Sequence, residues 1–236
     1  IYRVAWCKII EDILNNDNVL IAFVDEASVT SCEGRVFGRA YARITPVINV
    51  PLGKVQMTIV AIAIPCYGVL YSFIDNSCKG TQYAQFLKDA ISFIRKYICN
   101  KDTEIVVIED NCPINCTDEV ENTVINLKFA LLPIVPYSPC LNGVAESYFG
   151  LMKTNNIMTC GNTGEVATKG IIQRNWMINT NSKFNESNTI TLLAEWKARM
   201  ELCKKGQPIY SFHVQTTDVI ADDLLTNLLV TVDRVF

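Results

Sequence analysis

Val19-Leu20-Ile21-Ala22-Phe23-Val24-Asp25 and Glu104-Ile105-Val106-Val107-Ile108-Glu109-Asp110 decide the fold. Each is an apolar run of strand length that ends on acids. A strand that is apolar at successive positions, rather than at alternate ones, is covered on both faces, and this is the mark of the central strands of an α/β sheet. A third run of this kind, Ala130 to Val135, ends at the turn Pro136-Tyr137-Ser138-Pro139.

The segments around these runs supply the other layers. Val4, Trp6, Ile9, Ile10, Ile13 and Leu14 recur at near-helical spacing, and Asn15-Asn16-Asp17-Asn18 stops that helix. Residues 35–43 and 55–74 predict further strands, three or four antiparallel strands in all with the first. Met57 to Ile74 carries no charge, but Pro65-Cys66-Tyr67-Gly68 breaks it into two strand-length pieces, which favours a buried hairpin over a membrane span. From Thr81 to Cys99 the period changes to 3.6, the mark of a helix crossing the sheet. Thr117 is placed to cap a helix reaching about Phe129, with Asp118 and Glu119 in its positive first turn. Further helices are predicted over about 143–153, carrying Glu146, and over 190–205. The final segment from Ser211 reads equally as helix or strand. Antiparallel strands followed by alternating β and α units give an α/β fold: a mixed sheet flanked by helices, with a C-terminal extension.

With 236 residues, half of them apolar, the chain can bury one good core. A net charge of -3 and a pI near 5.3 argue against an autonomous, tight DNA binder. The ten cysteines are scattered and no signal peptide is evident, which predicts a reduced, intracellular chain. Cys112 and Cys116 have no second Cys or His pair nearby to complete a zinc site, and read as small structural residues. The one histidine, His213, leaves no Ser-His or Cys-His arrangement for covalent catalysis.

Acids at the ends of neighbouring central strands, with a third on a packed helix, converge on the crevice where open α/β sheets bind ligands. Asp25, Asp110 and Glu146 fit that description. Two carboxylates about 4 Å apart repel by roughly 4 kcal/mol at an effective dielectric near 20, so something positive must lie between them or one must take a proton. Mg²⁺ or Mn²⁺ suits an all-carboxylate site, and two such ions can clamp the attacking and leaving oxygens of a phosphoryl displacement. Each acid also has a bland reading: Asp25 as a turn residue, Asp110-Asn111 as an Asx turn, and Glu146 as a solvated first-turn acid. Glu26 and Glu109, next to the two aspartates, compete for the same roles.

Three blocks resemble the Tc1/mariner and IS630 superfamily of DDE transposases. The first is Phe23-Val24-Asp25-Glu26-Ala27-Ser28 with Gly34-Arg35-Val36. The second is Val106-Val107-Ile108-Glu109-Asp110-Asn111-Cys112-Pro113-Ile114-Asn115. The third is Pro136-Tyr137-Ser138-Pro139-Cys140-Leu141-Asn142 with Glu146-Ser147-Tyr148-Phe149-Gly150-Leu151-Met152-Lys153. Together with the elements between them they cover about residues 1–155, and the 35 residues between Asp110 and Glu146 are close to the family's spacing. The sequence departs from the pattern at Gly143, where the family has Pro, in one extra residue before Glu146, and at Asn115, where a His is common.

The resemblance implies an RNase H-like catalytic domain with Asp25, Asp110 and Glu146 holding two Mg²⁺ or Mn²⁺ ions, and Glu26, Asn111 and Asn142 supporting them from behind. It implies metal-dependent DNA strand cleavage and strand transfer, with transposon ends and target DNA as partners, a homodimer as the candidate assembly, and no membrane. A nuclear location is implied if the source is eukaryotic. The expected organisation is a linker helix over 1–18, a catalytic core over 19–155 and a mostly helical extension of the same domain over 156–236. The N-terminal helix-turn-helix modules of the family are not in the sequence, which suggests a truncated copy, an isolated domain or a decayed insertion. The alternative function is an inactive or domesticated remnant serving as a DNA-associated or interaction module; a third is an RNase H-like nuclease acting on hybrids. Trp176, Trp196, Lys204 and Lys205 read as core and helix-end residues rather than DNA contacts.

Overall fold

A computed structural model of the chain describes residues 2–30, 41, 43, 55–155, 165–184 and 186–205. Helix α1 (Tyr2–Leu14) leads into β1 (Val19–Thr30). The hairpin β2 (Gln56–Ile64) and β3 (Gly68–Asp75) follows, then α2 (Gly80–Tyr97), β4 (Glu104–Glu109), α3 (Asp118–Leu127), β5 (Ala130–Pro133), α4 (Gly143–Asn155), α5 (Glu165–Lys183) and α6 (Glu186–Lys204). The five strands form one sheet in the order β3-β2-β1-β4-β5. β1 is antiparallel to β2 and parallel to β4, β2 is antiparallel to β3, and β4 is parallel to β5. The chain therefore has the mixed, helix-flanked α/β sheet that the order of its apolar runs predicts. Most of the strand predicted over 35–43 lies outside the described residues, and Tyr41 and Arg43, which are described, are a bend and a turn rather than strand; the segment from Ser211, His213 included, lies outside them.

Alternation along the strands sorts the core into two layers. Ala22 and Val24 of β1, with Ile105 and Val107 of β4, face α2 and α3, packing on Tyr83, Leu87, Ile91 and Val120. Ile21 and Phe23, with Ile108, face the opposite way, toward α1, α4 and α6, among Trp6, Ile10, Leu141, Val144, Ala145 and Trp196. Farther along that second face, Ala27 and Val29 pack with Tyr148, Phe149, Trp176 and Phe184. Both tryptophans singled out in the sequence are core residues, Trp176 fully buried and Trp196 nearly so. The Trp196 ring meets Phe23 edge-on at 4.8 Å, and its Nε1–H donates to the Leu141 carbonyl over 2.8 Å. Lys204 ends α6 and reaches Glu11 of α1.

Three local expectations are corrected. The run from Ala130 is not a central strand covered on both faces: β5 lies at the edge of the sheet, with Ala130 and Pro133 exposed. β1 does not stop at Asp25. Its parallel pairing with β4 ends at Phe23↔Ile108, but its antiparallel pairing with β2 continues through Asp25↔Ala61 to Thr30↔Gln56. Ala27 and Val29 are buried, so the strand still has a face to bury beyond the charged pair. Thr117 precedes α3, but its side chain makes no capping bond. Its hydroxyl is buried instead against Gly80 at the start of α2, where a Cβ would lie 2.6 Å from Thr117 Oγ1. The predicted turn between β2 and β3 is present. Tyr67 N–H donates to the Ile64 carbonyl, and Gly68 has φ +131 with the Phe184 carbonyl 3.2 Å from where a Cβ would stand, a position only glycine occupies without strain. Among the described residues no helix is long and apolar enough to cross a membrane.

Candidate active site

The two sheet faces separate the competing acids. Asp25 has the same parity in β1 as Phe23 and Ala27, which places it on the α4 side, where Glu146 stands in the first turn of α4. Glu26 has the parity of Ala22 and Val24 and lies on the α2 side, where the Cys112 thiol donates to its Oε1 over 3.3 Å. Glu109 follows Ile105 and Val107 in parity; it is 5% exposed and accepts a 2.9 Å hydrogen bond from the Tyr83 hydroxyl. Asp110 is the first residue past β4, two residues beyond Ile108, whose partner across the sheet is Phe23. The ladder ends at that pair, and the charge of Asp110 acts on Asp25.

Asp110 is held firmly. Its Oδ1 accepts from the Cys112 N–H at 2.9 Å, closing an Asx turn, and from the Asn115 amide at 3.1 Å. The same amide donates to the Asp110 main-chain carbonyl, also at 3.1 Å. The Asx-turn reading of Asp110 is thus present in the structure together with the siting beside Asp25. Asn111 Nδ2 donates to the Ile134 carbonyl over 2.6 Å, fixing the end of β4 against the chain leaving β5. Asn142, 1% exposed, donates to the Val24 carbonyl over 2.9 Å. Asp25 accepts its neighbour's N–H, Glu26, at 2.8 Å.

The electrostatics follow from burial and crowding. Asp25 is pushed up to about 7, first by loss of water and then by the charges of Glu146, Asp110 and Glu26. Burial also raises Glu146, with Asp110 adding to it and Lys153 opposing. Glu109 rises to about 7 and Glu26 rises too, burial leading in both, while the hydrogen bonds from Tyr83 and Cys112 respectively pull the other way. Among the described residues the charged side chains acting on Asp25 are the acids Glu146, Asp110 and Glu26. Negative charge carried by hard oxygen donors suits a divalent cation in chemistry. Among the described residues no three His, Cys, Asp or Glu side chains converge tightly enough to hold one metal ion.

Sequence reasoning missed three supporting contacts. Cys112, read as a small structural residue, is a thiol donor to Glu26; Tyr83, read as part of a helix stripe, is the partner of Glu109; Asn115, noticed only as a replacement for His, grips Asp110. The signal for the last was its place five residues after Asp110, within reach of an Asx turn.

A mixed five-stranded sheet of this order, flanked by helices, has the RNase H-like α/β fold. Within it, the chain has the fold of the mariner transposase catalytic domain. Over 89% of its length it superimposes on the crystal structure of the Mos1 mariner paired end complex with Mn, with a TM-score of 0.69 and 16% identity. A Mos1 transposase catalytic domain solved with raltegravir and Mg matches with a TM-score of 0.63 and 15% identity. The chain spans 63% of the former protein chain and 96% of the latter. No family model and no curated protein matches the sequence.

Proposed function

We propose that the chain is the catalytic part of a transposase of the Tc1/mariner type, acting on DNA by metal-dependent strand cleavage and strand transfer. The observation that supports this reading is the grouping of Asp25, Asp110 and Glu146: the charges of Glu146 and Asp110 act on Asp25, and the charge of Asp110 acts on Glu146. The fold likeness to mariner catalytic domains supports it.

Asp25, Asp110 and Glu146 would hold Mg²⁺ or Mn²⁺, which when bound supplies Lewis-acid stabilisation of the phosphate and a more acidic water. The protein's own contribution is orientation. Asn115 and the Cys112 N–H fix one oxygen of Asp110, and Asn142 braces the peptide before Asp25. Glu26 and Glu109 are held on the far side of the sheet by Cys112 and Tyr83, which leaves them in a supporting role. We assign the core to residues 19–155, transposon ends and target as the DNA partners, a homodimer as the assembly and the nucleus as the location in a eukaryote. A net charge of -3 favours a second reading, a non-enzymatic descendant of such a protein.

Supercoiled plasmid nicking in Mg²⁺, Mn²⁺ or EDTA tests the proposal, with Asp25→Asn, Asp110→Asn and Glu146→Gln alongside wild type. Metal-dependent nicking lost in all three variants is expected. Equal behaviour of wild type and variants supports the non-enzymatic reading.

A further inference from the structure

Among the described residues β3 pairs only with β2, so along Gly68–Asp75 one row of backbone N–H and C=O groups has no strand beside it. Open sheet edges are normally blunted by shortness, proline or charge. The opposite edge, β5, is blunted in this way: it has four residues and ends on Pro133. β3 has eight residues, no proline and no charge before Asp75. Val69 to Phe73 are all half-buried, so Leu70, Tyr71 and Phe73 keep part of their apolar surface in water. A groove of about 460 Å³ runs beside the strand, walled by Leu70, Ser72 and Ile74 and by Phe86, Ala90 and Phe93 of α2.

The pairing with β2 shows which face each residue takes. Leu70 and Ser72 stand opposite Ile62 and Val60 in the α2-side layer, while Tyr71 and Phe73 stand opposite Ala61 and Ile59 in the other. A two-fold axis perpendicular to the sheet keeps these faces and permits β3 to pair antiparallel with a second copy of itself, centred on Ser72. Leu70 of each copy then meets Ile74 of the other on the α2 side, and Tyr71 meets Phe73 on the opposite side. Apolar meets apolar and ring meets ring, the cross-strand pairs that stabilise antiparallel strands. Asp75, already 3.2 Å from Lys169, would face Val69, and the two Asp75 residues would lie about 20 Å apart, so no like charges meet. Eight residues span about 26 Å, and over both faces of the sheet the contact comes to roughly 500 Å² per copy, about 1,000 Å² in all. That is at the lower bound of a specific interface and suits a reversible association.

We propose that β3 is the surface through which two copies of this chain associate, their sheets joining antiparallel about Ser72. This deepens the homodimer reading given above and rests on it, but it does not depend on the three acids.

The test is sedimentation equilibrium of the full chain from about 2 to about 200 µM, with hydrogen exchange read by mass spectrometry at both ends of that range. The average mass is expected to rise from 26.4 kDa toward twice that value. A dissociation constant of roughly tens of micromolar fits the small area. The slowing of exchange at high concentration should centre on β3. Ser72→Lys sets two like charges face to face and should weaken association about tenfold or more. Ser72→Val adds a β-branched apolar side chain at the same point and should tighten it about threefold. Ile178→Lys alters an exposed apolar residue on α5 and should leave it within about twofold. If Ser72→Lys fails to fold, wild-type exchange and Ser72→Val still decide the matter. A monomer at the highest concentration overturns the proposal together with the homodimer reading, and leaves the groove to a strand from another protein. A dimer that protects a different surface, or one that Ser72→Lys leaves intact, keeps the homodimer and removes β3 from it.

Discussion

Asp25→Asn should stabilise the metal-free protein. The side chain rises from its ordinary 3.8 to about 7, with burial as the main cause and Glu146, Asp110 and Glu26 adding to it. At about 1.4 kcal/mol per pH unit that rise corresponds to about 4 kcal/mol of cost for ionised Asp25 in the folded state. Local relaxation and water penetration bring the expected gain from a neutral isostere to about 2 kcal/mol, or roughly 4–8 °C in Tm for a chain of this size. An asparagine Oδ1 can still accept the Glu26 N–H, so the one hydrogen bond is kept. The sign is fixed by the direction of the rise. A carboxyl whose folded pKa lies above its unfolded one contributes stability that is complete below about 3.8 and is lost as pH climbs through about 7. The advantage of Asp25→Asn should therefore be near zero at pH 3.5, grow between pH 4 and 7, and stay flat above. Thermal unfolding in EDTA across that range measures it, and Mn²⁺ should reverse the order at pH 8 by stabilising wild type alone. A variant no more stable than wild type at pH 8, or an advantage that does not shrink in acid, would refute the placing of Asp25 in a desolvated, acid-crowded site.

Glu109→Gln should also stabilise at pH 8, by about 1–2 kcal/mol, because Glu109 rises to about 7 chiefly through burial while a glutamine oxygen can still accept from Tyr83; the gain should fade as the pH drops toward 4.5. Tyr83→Phe removes the partner of that buried acid and should cost about 1–3 kcal/mol in urea unfolding at pH 8. Trp196→Ala should cost about 3–5 kcal/mol, since it empties a buried site against Phe23 and releases the Leu141 carbonyl; a loss under 1 kcal/mol would contradict the packing described. Lys204→Ala, despite contacts of 2.6 Å to both Glu11 and Glu201, should change stability by less than about 1 kcal/mol, because both acids are exposed and the pairs are screened.

The order of elements was legible in the sequence because burial leaves a local trace. Val19 to Val24 and Ile105 to Ile108 are apolar at every position, and the structure covers both of their faces. The stripe from Tyr83 to Ile94 repeats every 3.6 residues, and α2 buries that stripe. The same local trace misled at Asp25-Glu26, where two charges resembled the end of a strand. Pairing with β2 carries the strand past them, and no nearby residue reports which partner strand continues. The contest between Asp25 and Glu26, by contrast, has a local answer. Period-two alternation puts Asp25 with Phe23 and Glu26 with Val24, and only one of those faces can meet the helix bearing Glu146. The braces behind the acids have no such local signature. Asn142 finds Val24 across 118 residues and Cys112 finds Glu26 across 86, and spacing along the chain does not encode such meetings. They depend on how α4 and the loop after β4 seat on the finished sheet. The approach of Glu146 to Asp25 depends on the same seating, which local sequence patterns leave unspecified.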